Sequence, residues 1–206
     1  MRDPRAAAAS GRAAGTTVAL ILAGTALAFV TTFLLRGLAP NWSPQLRLML
    51  SDVALVLPLA VVVRDPARFG FHRAGIGISV AGGAVLSALL LGFGKPALFA
   101  SAPSAQQAAM LGALAVVGFV EEAIFRGILQ SQLVAWLGRW RGLLAGAALF
   151  GAWHVPQRLL GGAGGVDLLA SLVPVFVVGI VLGLFMLAVR NIAGPAILHT
   201  AINWLG

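Results

Sequence analysis

Two adjacent carboxylates and an arginine stand inside an apolar stretch, "VEEAIFRG", at residues 120–127. Glu122 and Arg126 are four residues apart, so on a helix they share a face and can pair, which lowers the cost of burying both charges. Glu121 has Phe125 at that spacing and so has no ionic partner on its own helix. We therefore predict a structural ion pair of Glu122 with Arg126 and a chemical role for Glu121, because an ionisable group within a membrane is a functional candidate by default.

Two histidines and a carboxamide also stand in apolar stretches. His154 lies in "ALFGAWHVP" and His199 in "AGPAILHTAINWLG", where Asn203 follows by four residues and shares its helix face. His72 lies among arginines and phenylalanines in a predicted loop, and we interpret it as interfacial.

A carboxylate, two imidazoles and a carboxamide suit the hydrolysis of an amide. Glu121 would act as general base on a water molecule that His154 positions, and His199 with Asn203 would donate hydrogen bonds to the oxyanion. Alternatively, Glu121, His154 and His199 would hold Zn²⁺, which lowers the pKa of bound water to about 7. The sequence does not separate these two mechanisms.

Other protease chemistries lack their residues. No HExxH motif is present, since Val155 and Pro156 follow His154, and no serine has a glycine-flanked setting such as G-x-S-x-G. Asp52 is the one aspartate within a predicted span, so a paired-aspartate mechanism lacks its second member. The absence of cysteine removes disulfides and a thiolate nucleophile.

The composition places these residues in a membrane. Of the 206 residues, 60% are hydrophobic and 10% are charged, whereas soluble domains carry about 25% charged residues. We predict one membrane-embedded domain over residues 1–206, because no linker divides the chain. The net charge of +8 is scattered between apolar runs, which does not indicate nucleic acid. Membrane lipid and a membrane-associated peptide or protein substrate are the expected partners.

Hydropathy predicts an all-α polytopic bundle. The fourth span exceeds the roughly 20 residues that crossing requires, so it must tilt, kink or protrude. The last run covers about 20 Å at 1.5 Å per residue, less than the roughly 30 Å hydrocarbon core, so we expect either that it ends within the bilayer or that the chain is unusually short for such a bundle. The predicted spans are 16–35, 46–63, 76–94, 107–137, 143–157, 168–189 and 194 to the end.

The arginines predict the orientation. With a cytoplasmic N-terminus, four basic residues (Arg36, Arg47, Lys95 and Arg158) fall on the far side, and nine fall on the cytoplasmic side, in agreement with the positive-inside rule. We also expect the catalytic cavity to face the cytoplasm. Because arginine greatly outnumbers lysine, we expect the membrane to be a bacterial plasma membrane. The nine are Arg2, Arg5, Arg12, Arg64, Arg68, Arg73, Arg139, Arg141 and Arg190.

Three motifs together resemble the CAAX prenyl protease and bacteriocin-processing (Abi-like) family of membrane proteases. Its pattern EExxxR, FxxxH and HxxxN reads here as "EEAIFR", "FGAWH" and "HTAIN", in that order, within a core of about 105–206. The resemblance implies a bundle of seven to eight helices and a catalytic set of Glu121, His154, His199 and Asn203. It also implies the ion pair of Glu122 with Arg126, and a mechanism that is either zinc-dependent or metal-free.

The leading hypothesis is thus an intramembrane endopeptidase. One alternative is a membrane protein of the same fold that does not cleave peptides, such as a bacteriocin self-immunity factor or a scaffold. A proton-coupled transporter using Glu121 and His154 is a further alternative, against which the lack of a detectable internal repeat counts.

Overall fold

A computed structural model describes residues 66–96 and 103–205, together with scattered residues between 15 and 53. Each regular element in this described part is helical, which confirms the all-α membrane bundle. Of the predicted spans 16–35 and 46–63, only scattered residues are described. A 3₁₀ turn, Pro66–Phe69, precedes α1 (Ile76–Gly94), α2 (Ala105–Glu122), a π-helical segment (Ala123–Gln130), α3 (Ser131–Leu137), α4 (Arg139–Leu160), α5 (Gly165–Val189) and α6 (Ala193–Leu205).

Among the described residues, three helical stretches are long and apolar enough to cross a membrane: α1, the continuous run Ala105–Leu137, and α5. The first has the predicted bounds, 76–94. Helix α4 is longer than the predicted 143–157, because its basic N-terminal residues and the turn around Pro156 are helical as well. The apolar pattern therefore predicted where these helices lie, but it did not predict that their polar ends are helical as well.

The long helix that follows Ser104 changes its hydrogen-bonding pattern directly after the two glutamates. It begins with a capping box, in which Ser104 accepts from the Gln107 amide and the Gln107 side chain accepts from the Ser104 amide. The π-helical segment then runs to Gln130, and the Ser131 hydroxyl donates to the carbonyl of Gly127. Such wider turns are frequent at functional sites. The length of the span had predicted a tilt, kink or protrusion, and the change to π-helical hydrogen bonding was not foreseen.

Small residues let the helices approach closely. Helix α6 packs against α1 and α2, and α4 packs against α5. A Cβ atom at Gly83 would lie 2.6 Å from the Gly194 carbonyl oxygen, and one at Gly179 would lie 3.1 Å from the Ala147 backbone. In lipid, close backbone contact of this kind supplies packing energy between helices. The packing fixes α2, α4, α5 and α6 around one space, which is lined by Glu121, His154, His199 and Asn203.

The basic residues concentrate at one end of the bundle. There α1 begins beside the end of α5, as shown by the Val189 carbonyl near Gly75, and α4 begins. At the opposite end, the Lys95 ammonium donates to the Trp204 carbonyl at 2.6 Å, and α4 terminates beyond Arg158. We call the first end the arginine-rich end; its described basic residues are Arg68, Arg73, Arg139, Arg141 and Arg190.

Candidate active site

The Glu122 carboxylate and the Arg126 guanidinium form a buried ion pair. Arg126 Nη1 lies 2.8 Å from Glu122 Oε1, and the two side chains are 2% and 0% exposed. The angle at Nη1 is not that of a hydrogen bond, so the contact is a close charge pair. Arg126 also donates from Nη2 to the Gly179 carbonyl at 3.4 Å and stacks over the Phe150 ring at 4.2 Å. This arginine therefore joins α5 and α4 to the glutamate helix.

His199 connects the two glutamates. Its Nδ1 lies 2.9 Å from Glu122 Oε1, and its Nε2 lies 3.5 Å from Glu121 Oε2. The ring is buried on α6 and packs edge-on against Phe150, with centroids 5.6 Å apart. Consecutive carboxylates on α2 thus contact opposite sides of one imidazole. The spacing along α2 gave no indication of this arrangement, because His199 is 77 residues from Glu122.

Glu121 has a second contact that the sequence did not reveal. The Trp153 indole donates from Nε1 to Glu121 Oε1 at 3.2 Å, while Glu121 Oε2 is buried without a hydrogen-bond partner. Trp153 itself is 4% exposed and packs against Phe125. The carboxylate is therefore held by a hydrogen bond through Oε1, while Oε2 lies 3.5 Å from His199 Nε2 without a hydrogen bond. The one available signal was the position of Trp153 beside His154, which a single sequence cannot distinguish from core packing.

His154 is held one turn from Phe150 on α4. Its Nδ1 donates to the Phe150 carbonyl at 2.9 Å, because a carbonyl can only accept. The neutral ring then carries a lone pair on Nε2. The Phe150 ring lies between the two histidines, with its centroid 4.7 Å from that of His154. Phe150 thus spaces the two imidazoles and shields Arg126 from the cavity.

One cavity of about 580 Å³ brings the four predicted catalytic residues together. Glu121, His154, His199 and Asn203 all line it, with apolar side chains from α2 and α5 completing the wall. Glu122 and Arg126 do not line it, although they contact residues that do. The two neighbouring glutamates therefore differ in access, and Glu121 is the one that faces the cavity.

The cavity extends toward the end of the bundle opposite the arginine-rich end. Its lining includes Gln157 and Arg158 near the end of α4, and Asn203 near the end of α6. If the arginine-rich end is cytoplasmic, as the positive-inside rule predicts, the cavity faces away from the cytoplasm. The expectations of cytoplasmic arginines and of a cytoplasm-facing cavity are therefore incompatible.

The predicted zinc ligands fit a metal in part. Two ligand atoms of a tetrahedral zinc lie about 3.4 Å apart when each is about 2.1 Å from the ion, close to the 3.5 Å between Glu121 Oε2 and His199 Nε2. Yet no three His, Asp or Glu side chains form a metal-binding group in the described part of the chain. The described side chains thus do not form a zinc site with three protein ligands.

Comparison with known proteins adds the family. The sequence profile described as "Type II CAAX prenyl endopeptidase Rce1-like" matches residues 103–205, which contain all three motifs and the helices that line the cavity. Comparisons with curated proteins and with solved structures found no match. The profile covers half of the chain and agrees with the resemblance of the motifs. The chain is an integral membrane protein and belongs to the Rce1-like family of type II CAAX prenyl endopeptidases.

Proposed function

We propose that this protein is an intramembrane endopeptidase that hydrolyses a peptide bond with Glu121 as the general base. The observation that carries the proposal is the asymmetry between the glutamates. Glu121 lines the cavity and its Oε2 has no hydrogen-bond partner, whereas Glu122 lies outside the cavity, paired with Arg126 and His199. A base must reach the proton that it abstracts, and of the two carboxylates only Glu121 borders the cavity.

In the first step, Glu121 Oε2 takes a proton from a water molecule in the cavity. His154 orients that water, since its Nδ1 donates to the Phe150 carbonyl and its Nε2 lone pair can accept from the water. The resulting hydroxide attacks the carbonyl carbon of the scissile peptide bond. The Trp153 indole fixes the carboxylate during this step by holding Oε1.

In the second step, the negative charge on the carbonyl oxygen is stabilised by donors on α6. His199 and Asn203 both line the cavity, and His199 Nε2 and the Asn203 amide serve as these donors. A doubly protonated His199 can donate from Nδ1 to Glu122 as well. It would bring the four buried ionic groups, two carboxylates, one guanidinium and one imidazolium, to a net charge of zero. The proton on Glu121 then passes to the leaving amine as the carbon–nitrogen bond breaks.

We further propose that the substrate is a membrane-associated peptide or protein. The cavity wall on α5 is apolar, with Pro174, Val175 and Val178, which suits a peptide segment partly embedded in lipid. Gln157 and Arg158 line the same cavity and offer polar contacts to a peptide backbone or a negative charge. The whole molecule is proposed to act as one membrane domain.

The experiment is a cleavage screen with purified full-length protein in liposomes. A library of membrane peptides is incubated with wild type and with Glu121→Ala, each with and without a chelator, and the products are identified by mass spectrometry. We expect products from the wild type that are absent with Glu121→Ala. Loss of the products on chelation would assign the water activation to a metal. Absence of products from a folded wild type would favour the self-immunity or scaffold alternative.

A further inference from the structure

A second pocket, separate from the catalytic cavity, lies at the arginine-rich end. Its volume is about 390 Å³, and its lining comes from the loop before α1, the π-helical segment, the start of α4 and the end of α5. We call it the basic pocket. Its positively charged or titratable lining residues are His72, Arg126, Arg139 and Arg190, and no acidic side chain lines it within the described part of the chain.

Two of the three guanidinium groups have no carboxylate partner. Arg126 is committed to Glu122, but Arg139 and Arg190 are exposed, and no carboxylate pairs with them among the residues that the structure describes. Arg139 stacks over the exposed Trp140 ring at 5.5 Å, a contact that leaves its N–H groups free to donate. The uncharged polar residues of the lining have partners already. Gln130 donates to the Gly183 carbonyl at 3.0 Å, and the Ser131 hydroxyl donates to the Gly127 carbonyl. The binding capacity of the basic pocket is therefore cationic.

Arg190 has a backbone conformation that residues other than glycine rarely adopt. Arg190 ends α5 with φ 53° and ψ 33°, in the left-handed region, and it is the one described residue other than glycine with a positive φ. Glycine is the residue that usually occupies such a helix end, since a Cβ atom makes the conformation unfavourable. An arginine at this point keeps a guanidinium at the pocket rim despite that conformational cost.

The basic pocket lies where lipid headgroups are expected. Helix α4 begins there and helix α5 ends there. The nearby side chains of Trp136 and Trp140 are 44% and 63% exposed, and tryptophan is enriched at membrane interfaces. Met186, Leu187 and Val134 give the same pocket an apolar wall. A cationic rim with an apolar wall matches a phosphate group attached to a hydrocarbon chain, and guanidinium groups bind phosphate oxygens in pairs.

We propose that the basic pocket binds the phosphate group of an anionic ligand through Arg139 and Arg190, with an anionic phospholipid and free phosphate as its two possible sources. A ligand in this pocket would lie beside Arg126, whose Nη1 pairs with Glu122. This binding does not rest on the proposed proteolysis.

The test is native mass spectrometry of the full chain in detergent, titrated with phosphatidylglycerol, with phosphatidylcholine, or with phosphatidylglycerol in the presence of inorganic phosphate. Wild type is compared with Arg190→Gly and with the double variant Arg139→Gln/Arg190→Gly. Glycine suits the left-handed backbone at 190, so these variants should remain folded. We expect phosphatidylglycerol to bind wild type in preference to phosphatidylcholine. Loss of each guanidinium should weaken binding about tenfold, as for a lost hydrogen bond between charged groups.

Arg141→Gln is the matched control, because Arg141 is exposed on the same turn of α4 but does not line the basic pocket. It should bind phosphatidylglycerol like the wild type. Displacement of the lipid by inorganic phosphate would show that free phosphate also occupies the pocket, and its persistence would assign the pocket to the lipid. The proposal is overturned if the double variant binds as tightly as wild type, or if Arg141→Gln loses as much affinity as the double variant.

Discussion

Removal of the Arg126 guanidinium is the perturbation whose effect on stability follows most directly from the structure. Arg126→Met keeps an unbranched side chain of similar length and deletes the charge. Glu122 is completely buried, so its carboxylate cannot turn to water when its partner is lost. Deleting one member of a buried ion pair typically costs 3–5 kcal/mol, because the other charge remains buried without compensation.

Two contacts shift the expected cost in opposite directions. His199 Nδ1 remains 2.9 Å from Glu122 Oε1 and retains part of the compensation. The lost contact of Arg126 with the Phe150 ring is buried and adds about 2 kcal/mol. We therefore expect Arg126→Met to lower the free energy of unfolding by about 3–5 kcal/mol. Adding Glu122→Gln in the same chain should recover more than half of this loss, since no buried charge is then left unpaired.

The assay is reversible unfolding in mixed detergent micelles, followed by circular dichroism for wild type, both single variants and the double variant. Arg141→Met is the control for loss of an exposed arginine and should change the free energy of unfolding by less than about 1 kcal/mol. The reasoning is refuted if Arg126→Met is as stable as Arg141→Met, or if the double variant is no more stable than Arg126→Met.

Two further predictions concern packing and orientation. Gly127→Ala should destabilise the fold by about 1–3 kcal/mol, because the added methyl group meets the Phe69 backbone, whereas Gly112→Ala, whose methyl group meets no atom within 4 Å, should not. Unfolding in detergent micelles compares the two, and equal stability would contradict the assigned contact. In this cysteine-free chain, Arg141→Cys and Gln157→Cys should react with an impermeant maleimide from opposite sides of the membrane, with Arg141→Cys on the cytoplasmic side. Labelling of both from one side would contradict the described arrangement of α4.

Local spacing and apolar length predicted much of the fold. Residues 76–94 are apolar and free of charge, so both ends of α1 follow from composition. Glu122 and Arg126 are four residues apart, so their proximity depends on one helix and needs no knowledge of its neighbours. Of the motif residues, Glu121, His154, His199 and Asn203 line the cavity, whereas Glu122 and Arg126 do not.

Contacts between helices could not be predicted in this way. The bond from Trp153 to Glu121 and the contact of His199 with Glu122 depend on how α4 and α6 dock against α2. The π-helical segment Ala123–Gln130 could not be predicted either, because apolar periodicity does not specify to which carbonyl each backbone amide donates. The direction in which the cavity opens depends on the depth of residues on four helices at once, which explains why the sequence alone led to incompatible expectations.

The role of Glu121 as the general base is tested most directly by comparing Glu121→Gln with Glu122→Gln in liposomes, with a substrate peptide found in the cleavage screen. Cleavage rate and unfolding midpoint are determined on the same preparations. Glu121→Gln, whose amide oxygen can still accept from the Trp153 indole, should remain folded and lose at least about 100-fold in rate, the loss expected for a general base. Glu122→Gln should instead lower the unfolding midpoint, since it breaks the buried pair with Arg126. A Glu121→Gln protein that is folded and cleaves at the wild-type rate would contradict the assignment of Glu121 as the base.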